Sequence, residues 1–356
     1  MVTQNELKAF YEIDLKPKLL FFEEQRKRLV SKRKSLWIIY GILVIFAILT
    51  MIIFFIYEKE TREVLRAALF WLLDGKWILG LVTSATIFYL ITVAIVIVSS
   101  YKKMKASYQT HFKIAVVGPL VALIDENLSY APEKTISVEA FYASQLFKQQ
   151  YGNRVQSWSG EDYVSGILDG KNVNFSEVYA REERSSDEYS YTFTIFKGLF
   201  FIFNVNWDFE GTTFILPNDK QSRFKKLLQL LKLAKPALES EFVVYSDNPI
   251  IANYVFSTAF MQRLLALRRR LKTPIHLSFV NGKLYMAIPV SEDLFDPPVY
   301  ETVLNFQLIQ TAFEYMQLGK EIVEELIALM KQPKYMDLAN SSNVSGMTKD
   351  FLKYFK

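Results

Sequence analysis

The chain contains no cysteine and only two histidines, His111 and His276. The first absence excludes a disulfide framework, a thiolate nucleophile, a zinc ribbon and an iron–sulfur cluster. The second excludes a multi-histidine metal centre and leaves almost no room for a Ser-His-Asp triad. No G-x-x-x-x-G-K-[ST] or G-x-G-x-x-G loop follows a strand, which weighs against a nucleotide-driven motor or a dinucleotide enzyme. There is no G-x-S-x-G nucleophile elbow either. Charge is scarce: 22% of the 356 residues are Asp, Glu, Lys or Arg, with a net charge of +5. What is abundant is apolar surface. Hydrophobic residues make up 51% of the chain, with 29 Phe and 20 Tyr, a content that disordered chains lack.

Two runs carry no charged side chain: Ser35 to Tyr57 (SLWIIYGILVIFAILTMIIFFIY) and Trp77 to Tyr101 (WILGLVTSATIFYLITVAIVIVSSY). Each exceeds the roughly 20 helical residues that cross a bilayer core, and a core helix of a globular protein seldom stays apolar on every face for six turns. The first run is too long for a signal-peptide h-region and has no small-x-small cleavage site behind it. Both runs are therefore expected to be transmembrane helices. Arg26, Lys27, Arg28, Lys32, Arg33 and Lys34 precede the first, and Lys102, Lys103, Lys105 and Lys113 follow the second. In the connector, Lys59, Arg62, Arg66 and Lys76 are balanced by Glu58, Glu60, Glu63 and Asp74. The positive-inside rule puts both termini in the cytoplasm. The apolar stretch Leu65 to Leu73 of the connector is expected to lie in the membrane interface. Gly80, Thr83, Ser84 and Thr86 give the second span a small face suited to helix–helix contact. The absence of an Asp, Glu, Lys, Arg or His from either span weighs against a channel or carrier made by one copy.

The N-terminal arm reads as a helix: Thr3 and Glu6 form a capping box, and Leu7, Phe10, Tyr11, Leu15 and Leu19 form a stripe that Pro17 can kink. Helix is expected again from Lys102 to about Asn127, interrupted at Gly118-Pro119, and from Ser137 to about Gln150. Strands then dominate. Tyr163–Leu168 and Asn172–Ala180 flank Asp169-Gly170, a type I′ hairpin signal. Alternation through Tyr189, Tyr191, Phe193 and Ile195 marks a strand with one buried face, and Arg181 to Glu188 reads as a charged loop. Leu199–Val205, Gly211–Leu216 and Glu241–Tyr245 read as further strands. A helix from Asn218 or Asp219 to about Ala234, ended by Pro236, and another from about Ser257 to Leu271 are expected. Ile275–Val280 and Lys283–Ile288 around Asn281-Gly282 form the clearest hairpin. Leu277 should face Met286 and Phe279 should face Leu284, with His276, Ser278 and Tyr285 on the opposite face. A last helix runs from about Val299 to Met330 through Leu304, Leu308, Phe313, Leu318, Ile322 and Leu326, and a mobile tail includes Asn340 to Gly346. Strands mixed with helices without βαβ alternation give an α+β class with a largely antiparallel sheet flanked by helices.

Few residues point to chemistry. Glu161, Asp162 and Asp169 fall near Glu177 if the Asp-Gly hairpin forms, and paired acids can do general acid–base work, although acids at turns usually cap helices or face water. Glu292, Asp293 and Asp296 lack the ligand spacing of a calcium loop. Arg268, Arg269, Arg270 and Lys272 can touch anionic lipid or nucleic acid, but they also end a helix, where cations complement the macrodipole, and no nucleic-acid motif accompanies them. His276 reads as a packed or solvent-face hairpin residue, and His111 as an interfacial polar residue.

Phe196 to Asp219 (FKGLFFIFNVNWDFEGTTFILPND), Phe242 to Arg270 and Ile275 to Pro289 (IHLSFVNGKLYMAIP), with Ile167 to Val178 upstream, resemble a bacterial two-span membrane family catalogued only as a domain of unknown function. The resemblance implies an inner-membrane protein with a large cytoplasmic domain and carries no catalytic residues with it. The expected organisation is an arm at 1–34, spans at 35–57 and 77–101 around a connector at 58–76, a cytoplasmic α+β domain at 102–338 and a tail at 339–356. The expected function is a non-enzymatic binding or scaffold module without cofactor or metal. Its expected partners are the lipid bilayer and other proteins, or its own copies through the spans, with no nucleic acid. The alternatives are a membrane-anchored enzyme using Asp162 and Glu177, and a subunit of an oligomeric membrane complex.

Overall fold

The computed structural model describes residues 2–64, 75–147, 154–185, 189–204, 211–218, 228–233, 235–249, 252 and 258–331. The chain divides into two compact units. The first comprises Met1–Tyr11, Lys113–Asp296 and Phe306–Lys356, and the second Glu12–Phe112 and Pro297–Asn305.

The first unit is an α+β domain around a nine-stranded sheet in which every strand pairing among the described residues is antiparallel. Its strands are β1 (Leu128–Ala131), β2 (Ser157–Leu168), β3 (Lys171–Ser185), β4 (Ser190–Asn204), β5 (Thr213–Pro217), β6 (Gln229–Leu231), β7 (Phe242–Ser246), β8 (His276–Val280) and β9 (Lys283–Pro289). They run in the order β1-β2-β3-β4-β9-β8-β5-β7-β6. Both dipeptide hairpins form where expected, because Asp169 and Gly170 (φ 46° and 77°) and Asn281 and Gly282 (φ 50° and 71°) adopt the left-handed backbone of a type I′ turn. The β8–β9 register pairs Leu277 with Met286 and Phe279 with Leu284.

Each face of the sheet is covered. On one, Phe175 and Phe201 meet at 4.8 Å and Phe201 stacks on Phe203. Helix α8 (Phe306–Met330) lies over this face, and a Cβ added at its Gly319 would stand 3.5 Å from the Phe201 ring. On the other face, Phe200, Phe214, Tyr245 and Tyr285 pack with Phe141, Leu146 and Phe147 from helix α5 (Val138–Ala143) and the residues after it. His276, Ser278 and Tyr285 are consequently buried, not on a wet face. The N-terminal helix α1 (Gln4–Phe10) forms its capping box and belongs to this unit, with Leu7 buried and Tyr11 edge-on to Phe306 at 5.1 Å.

Several elements depart from the sequence reading. Residues 229–231, expected at the end of a helix, form the edge strand β6, because pairing with β7 satisfies their backbone. Pro236 starts helix α6 (Pro236–Glu239) instead of ending one, a position where its missing N–H costs nothing. Helix α5 stops at Ala143, and Gln145 turns left-handed (φ 57°). Arg181–Ser185 extend β3 rather than forming a loop, and Tyr191 and Leu199 share one strand. Helix α8 begins at Phe306, so Leu304 is outside it and Leu308 is exposed. A π turn at Lys113–Val117 precedes helix α4 (Gly118–Ile124), so the irregularity lies before Gly118-Pro119 and the proline occupies the first turn. Helix α7 spans Thr258–Leu271. The connector stretch Leu65 to Leu73 and the tail at 339–356 lie outside the described residues.

The second unit is built on helices α2 (Lys16–Val64) and α3 (Gly75–Phe112), which pack against each other. A π turn at Tyr11–Leu15 stands just before Pro17, whose missing N–H leaves the carbonyl one turn earlier without its usual partner; the helix continues past it. Outward-facing side chains on α2 and α3 are large and apolar: Ile38, Ile45, Phe88 and Ile95 are all more than half exposed. Among the described residues, one helical stretch, Ser84–Ile124, is long and apolar enough to cross a membrane by length and composition, and none of its apolar window is buried within the protein. Near the base of α2, the buried Glu23 receives two hydrogen bonds from Arg26 (2.9 and 2.6 Å) and one each from the Thr302 hydroxyl (3.1 Å) and the Val303 N–H (3.2 Å). These bonds hold Glu23 well below the usual carboxylate range, at about 2, with Arg26 the main cause.

Gly198 joins β4 to β9 at φ 146°, where an added Cβ would collide with the Ile288 carbonyl and stand 2.6 Å from the Val290 nitrogen. Backbone on both sides leaves nothing to yield. Gly198→Ala is expected to lower stability by at least about 2 kcal/mol in chemical denaturation, whereas Gly170→Ala, in open space, should cost less.

Candidate functional site

The chemically distinctive place in the first unit begins with a sheet irregularity. Strand β2 pairs Glu161 with Glu177 and Val164 with Phe175, so Asp162 and Tyr163 oppose the single Ser176 and the strand bulges. Asp162 occupies the bulge with φ 61° and gives its N–H to the Pro132 carbonyl at 2.9 Å. The bulge turns its carboxylate inward, leaving the residue 1% exposed.

The π turn at Lys113–Val117 delivers Lys113 to the same place. Its ammonium, 3% exposed, lies 2.7 Å from Glu161, 2.8 Å from Asp162 and 2.9 Å from Asp296. Three N–H donors thus meet three carboxylates. The Tyr130 hydroxyl donates to the second oxygen of Asp162. Glu177 accepts the Leu294 N–H at 2.9 Å, and Lys197 pairs with Asp293 at 3.0 Å on the same loop.

Electrostatics separates these acids. Burial pushes Asp162 up to about 6, even though Lys113 and Tyr130 favour its charged form. Glu177 is pushed up to about 8, first by burial and then by the negative charge of Asp162, so it keeps its proton at neutral pH. Burial alone would lower Lys113, but Asp162, Glu161 and Asp296 outweigh it and hold the ammonium above its ordinary value. Tyr130 is raised by burial and by Asp162. The ammonium has no lone pair to offer as a nucleophile, and Asp162 has no access to solvent. Only the half-exposed Glu161 side chain and the protonated Glu177 remain open to other chemistry.

Oxygens of Glu161, Asp162 and Glu177 lie within 4.8 Å of one another, close enough to share a metal ion. Two of the three already contact Lys113, so the protein supplies its own cation there.

Of the residues singled out in the sequence, Asp162, Glu177 and Glu161 come together, Asp296 joins them, and Asp169 stays in the exposed hairpin turn. Lys113 and Tyr130 were not legible as members. The one signal for Lys113 is its isolation among Phe112, Ile114, Ala115, Val116 and Val117. Arg268 pairs with Glu241 at 2.7 Å and stacks over Phe242, and Arg270 makes two bonds to Glu321 at 3.0 and 2.9 Å. Arg269 is exposed. The basic cluster is therefore largely engaged in ion pairs within its own unit. His276 lies against Phe147, and His111 bonds back to the Ser107 carbonyl at 2.6 Å. Away from this cluster, a polar hollow of about 390 Å³ opens on the sheet, lined by Ser165, Asn172, Asn174, Asn204 and Lys283 among others.

The raised pKa values set a sign for pH dependence. Folding stability contributed by protonated Glu177 is fully present below its ordinary value of 4.5 and is lost as pH rises toward about 8. The first unit should therefore lose stability between pH 5 and pH 8, and Glu177→Gln should flatten that decline; thermal melts across this range read both outcomes.

No curated protein matches the chain. Among solved structures, the crystal structure of the mycobacterial trehalose monomycolate transport factor A, TtfA, is similar over 61% of this chain and 93% of that one, at 11% identity and a TM-score of 0.31. Residues 194–327, from within β4 into α8, match the family described as "Protein of unknown function (DUF3137)", which shows the expected resemblance to a domain of unknown function over that stretch.

Proposed function

We propose that this protein is a membrane-anchored binding or scaffold module of the bacterial inner membrane. In this reading Ser35–Tyr57 and Trp77–Tyr101 cross the bilayer, both termini face the cytoplasm, and the α+β unit engages protein or lipid partners there. The observation that carries it is the outward apolar surface of α2 and α3, which water would not tolerate and hydrocarbon favours, bounded by lysine and arginine at one end. The polar hollow on the sheet offers amide donors and acceptors to a partner. Small residues on the second span suit self-association, so membership of an oligomeric membrane complex fits the same anchor.

One observation favours a second reading, an enzyme using Asp162 and Glu177: both carboxyls are raised and adjacent. Against it stands the engagement of Lys113 and Asp162 with each other. A binding role needs nothing from that cluster beyond a stable fold.

Because the chain has no cysteine, one introduced thiol reports topology without background. In intact spheroplasts, a membrane-impermeant maleimide should label Glu63→Cys but neither Glu12→Cys nor Asn281→Cys until the membrane is opened. Labelling of Asn281→Cys from outside would overturn the orientation.

A further inference from the structure

Helices α2 and α3 do not close on each other along their whole contact. A cleft of about 440 Å³ remains between them, with Arg33, Trp37, Tyr40, Leu43, Ala94 and Tyr101 in its wall. Its position matters. Arg33 precedes the first uncharged run by two residues and Tyr101 ends the second, so the mouth lies where both runs meet the lysine-rich flanks. From Arg33 to Leu43 the helix rises about 15 Å, which is half of the roughly 30 Å hydrocarbon core. The cleft thus has the depth of one leaflet.

Its lining is graded in the same direction. Leu43 and Ala94 lie at the deep end. Trp37, Tyr40 and Tyr101 stand above them, residue types with an apolar body and a polar tip that favour the headgroup level. Arg33 is at the mouth. Its guanidinium carbon lies over the Tyr300 ring, 4.9 Å from the ring centroid, and the N–H donors of a guanidinium point outward in its own plane. Edge donors on a planar cation match two oxygens of a phosphate. The wall contains one cation and no carboxylate, and Lys32, Lys34, Lys102 and Lys103 are exposed around it. An apolar slot under a cationic rim is complementary to one class of molecule.

We infer that the α2–α3 cleft binds a single anionic phospholipid of the cytoplasmic leaflet, with its phosphate on the edge of Arg33 and an acyl chain running down between Trp37 and Ala94. The inference rests on the two-span reading. The lipid wedges the helix pair at its cytoplasmic end and makes the anchor sensitive to the anionic content of that leaflet.

Native mass spectrometry of the full-length protein, delipidated in detergent and offered equal phosphatidylglycerol and phosphatidylcholine, tests it. One phosphatidylglycerol should be retained at least about fivefold more tightly than phosphatidylcholine. Arg33→Gln should abolish the preference and Arg33→Lys keep part of it, because a point charge replaces the fork. Arg28→Gln removes the same charge from an exposed site outside the cleft and should change nothing. Ala94→Phe, which fills the slot, should lower retention of both lipids. No preference in the parent protein, an equal loss with Arg28→Gln, or a dimer that excludes the lipid would each overturn the inference while leaving the membrane anchor intact. A full-length chain that stays dissolved without detergent would overturn the two-span reading, and the inference with it.

Discussion

A lysine ammonium cannot be taken out of water alone, and Lys113 is almost completely out of it. Removing such an ion from water costs several kcal/mol even after the surroundings relax, and that cost is offset only where the partners are close and numerous. Here Asp162, Glu161 and Asp296 supply them, from two separate stretches of chain. The neutralisation explains features that are otherwise odd. A π turn sets the register that brings Lys113 inward, a bulge turns Asp162 to meet it, and Asp162 accepts a left-handed backbone to do so. Strain of this kind persists only when the surroundings over-determine it. Burial, and after it the charge of Asp162, keeps Glu177 from ionising easily. Burial raises both carboxyls against the pull of Lys113, and a poised catalytic pair is not required to account for them.

The two units solve different solvent problems. In the first, aromatic residues pack on both faces of the sheet, and buried hydroxyls among them find partners: Ser278 donates to the Ser144 carbonyl, and Thr213 pairs with Ser246. In the second, α2 and α3 leave large apolar side chains facing outward. Near the start of α2, Glu23 and Arg26 tie the helix to residues 297–305. Such a division is what the proposed anchored module requires: a stem with outward apolar side chains, and a folded body whose buried lysine is neutralised within itself.

How far the sequence reveals this depends on the range of the signal. Asp169-Gly170 and Asn281-Gly282 fixed their hairpins because a two-residue turn with positive φ is decided locally, and the alternation in β8 and β9 followed from the turn. Thr3 and Glu6 likewise specify their capping box within four residues. Residues 229–231 went the other way: leucines there fit a helical stripe as well as an edge strand, and only β7, out of sight in the sequence, decides between them. Pro236 was ambiguous for the same reason, since proline both ends and begins helices. In the candidate site, Asp162 and Glu177 were legible as neighbours through the hairpin, but the bulge shifts the pairing just where it matters. Lys113, 49 residues from Asp162, resembles one more basic residue flanking a membrane helix. Its role is set by burial, which composition and spacing do not report.

The clasp is tested most directly by a double-mutant cycle on Lys113→Met and Asp162→Asn, read as the free energy of unfolding of the first unit. Breaking a buried pair from one side should cost about 3–5 kcal/mol. If the ammonium and the carboxylate exist to neutralise each other, the double variant will recover part of that loss, with a coupling of at least about 1 kcal/mol. Strictly additive effects, or a Lys113→Met variant as stable as the parent, would contradict the account.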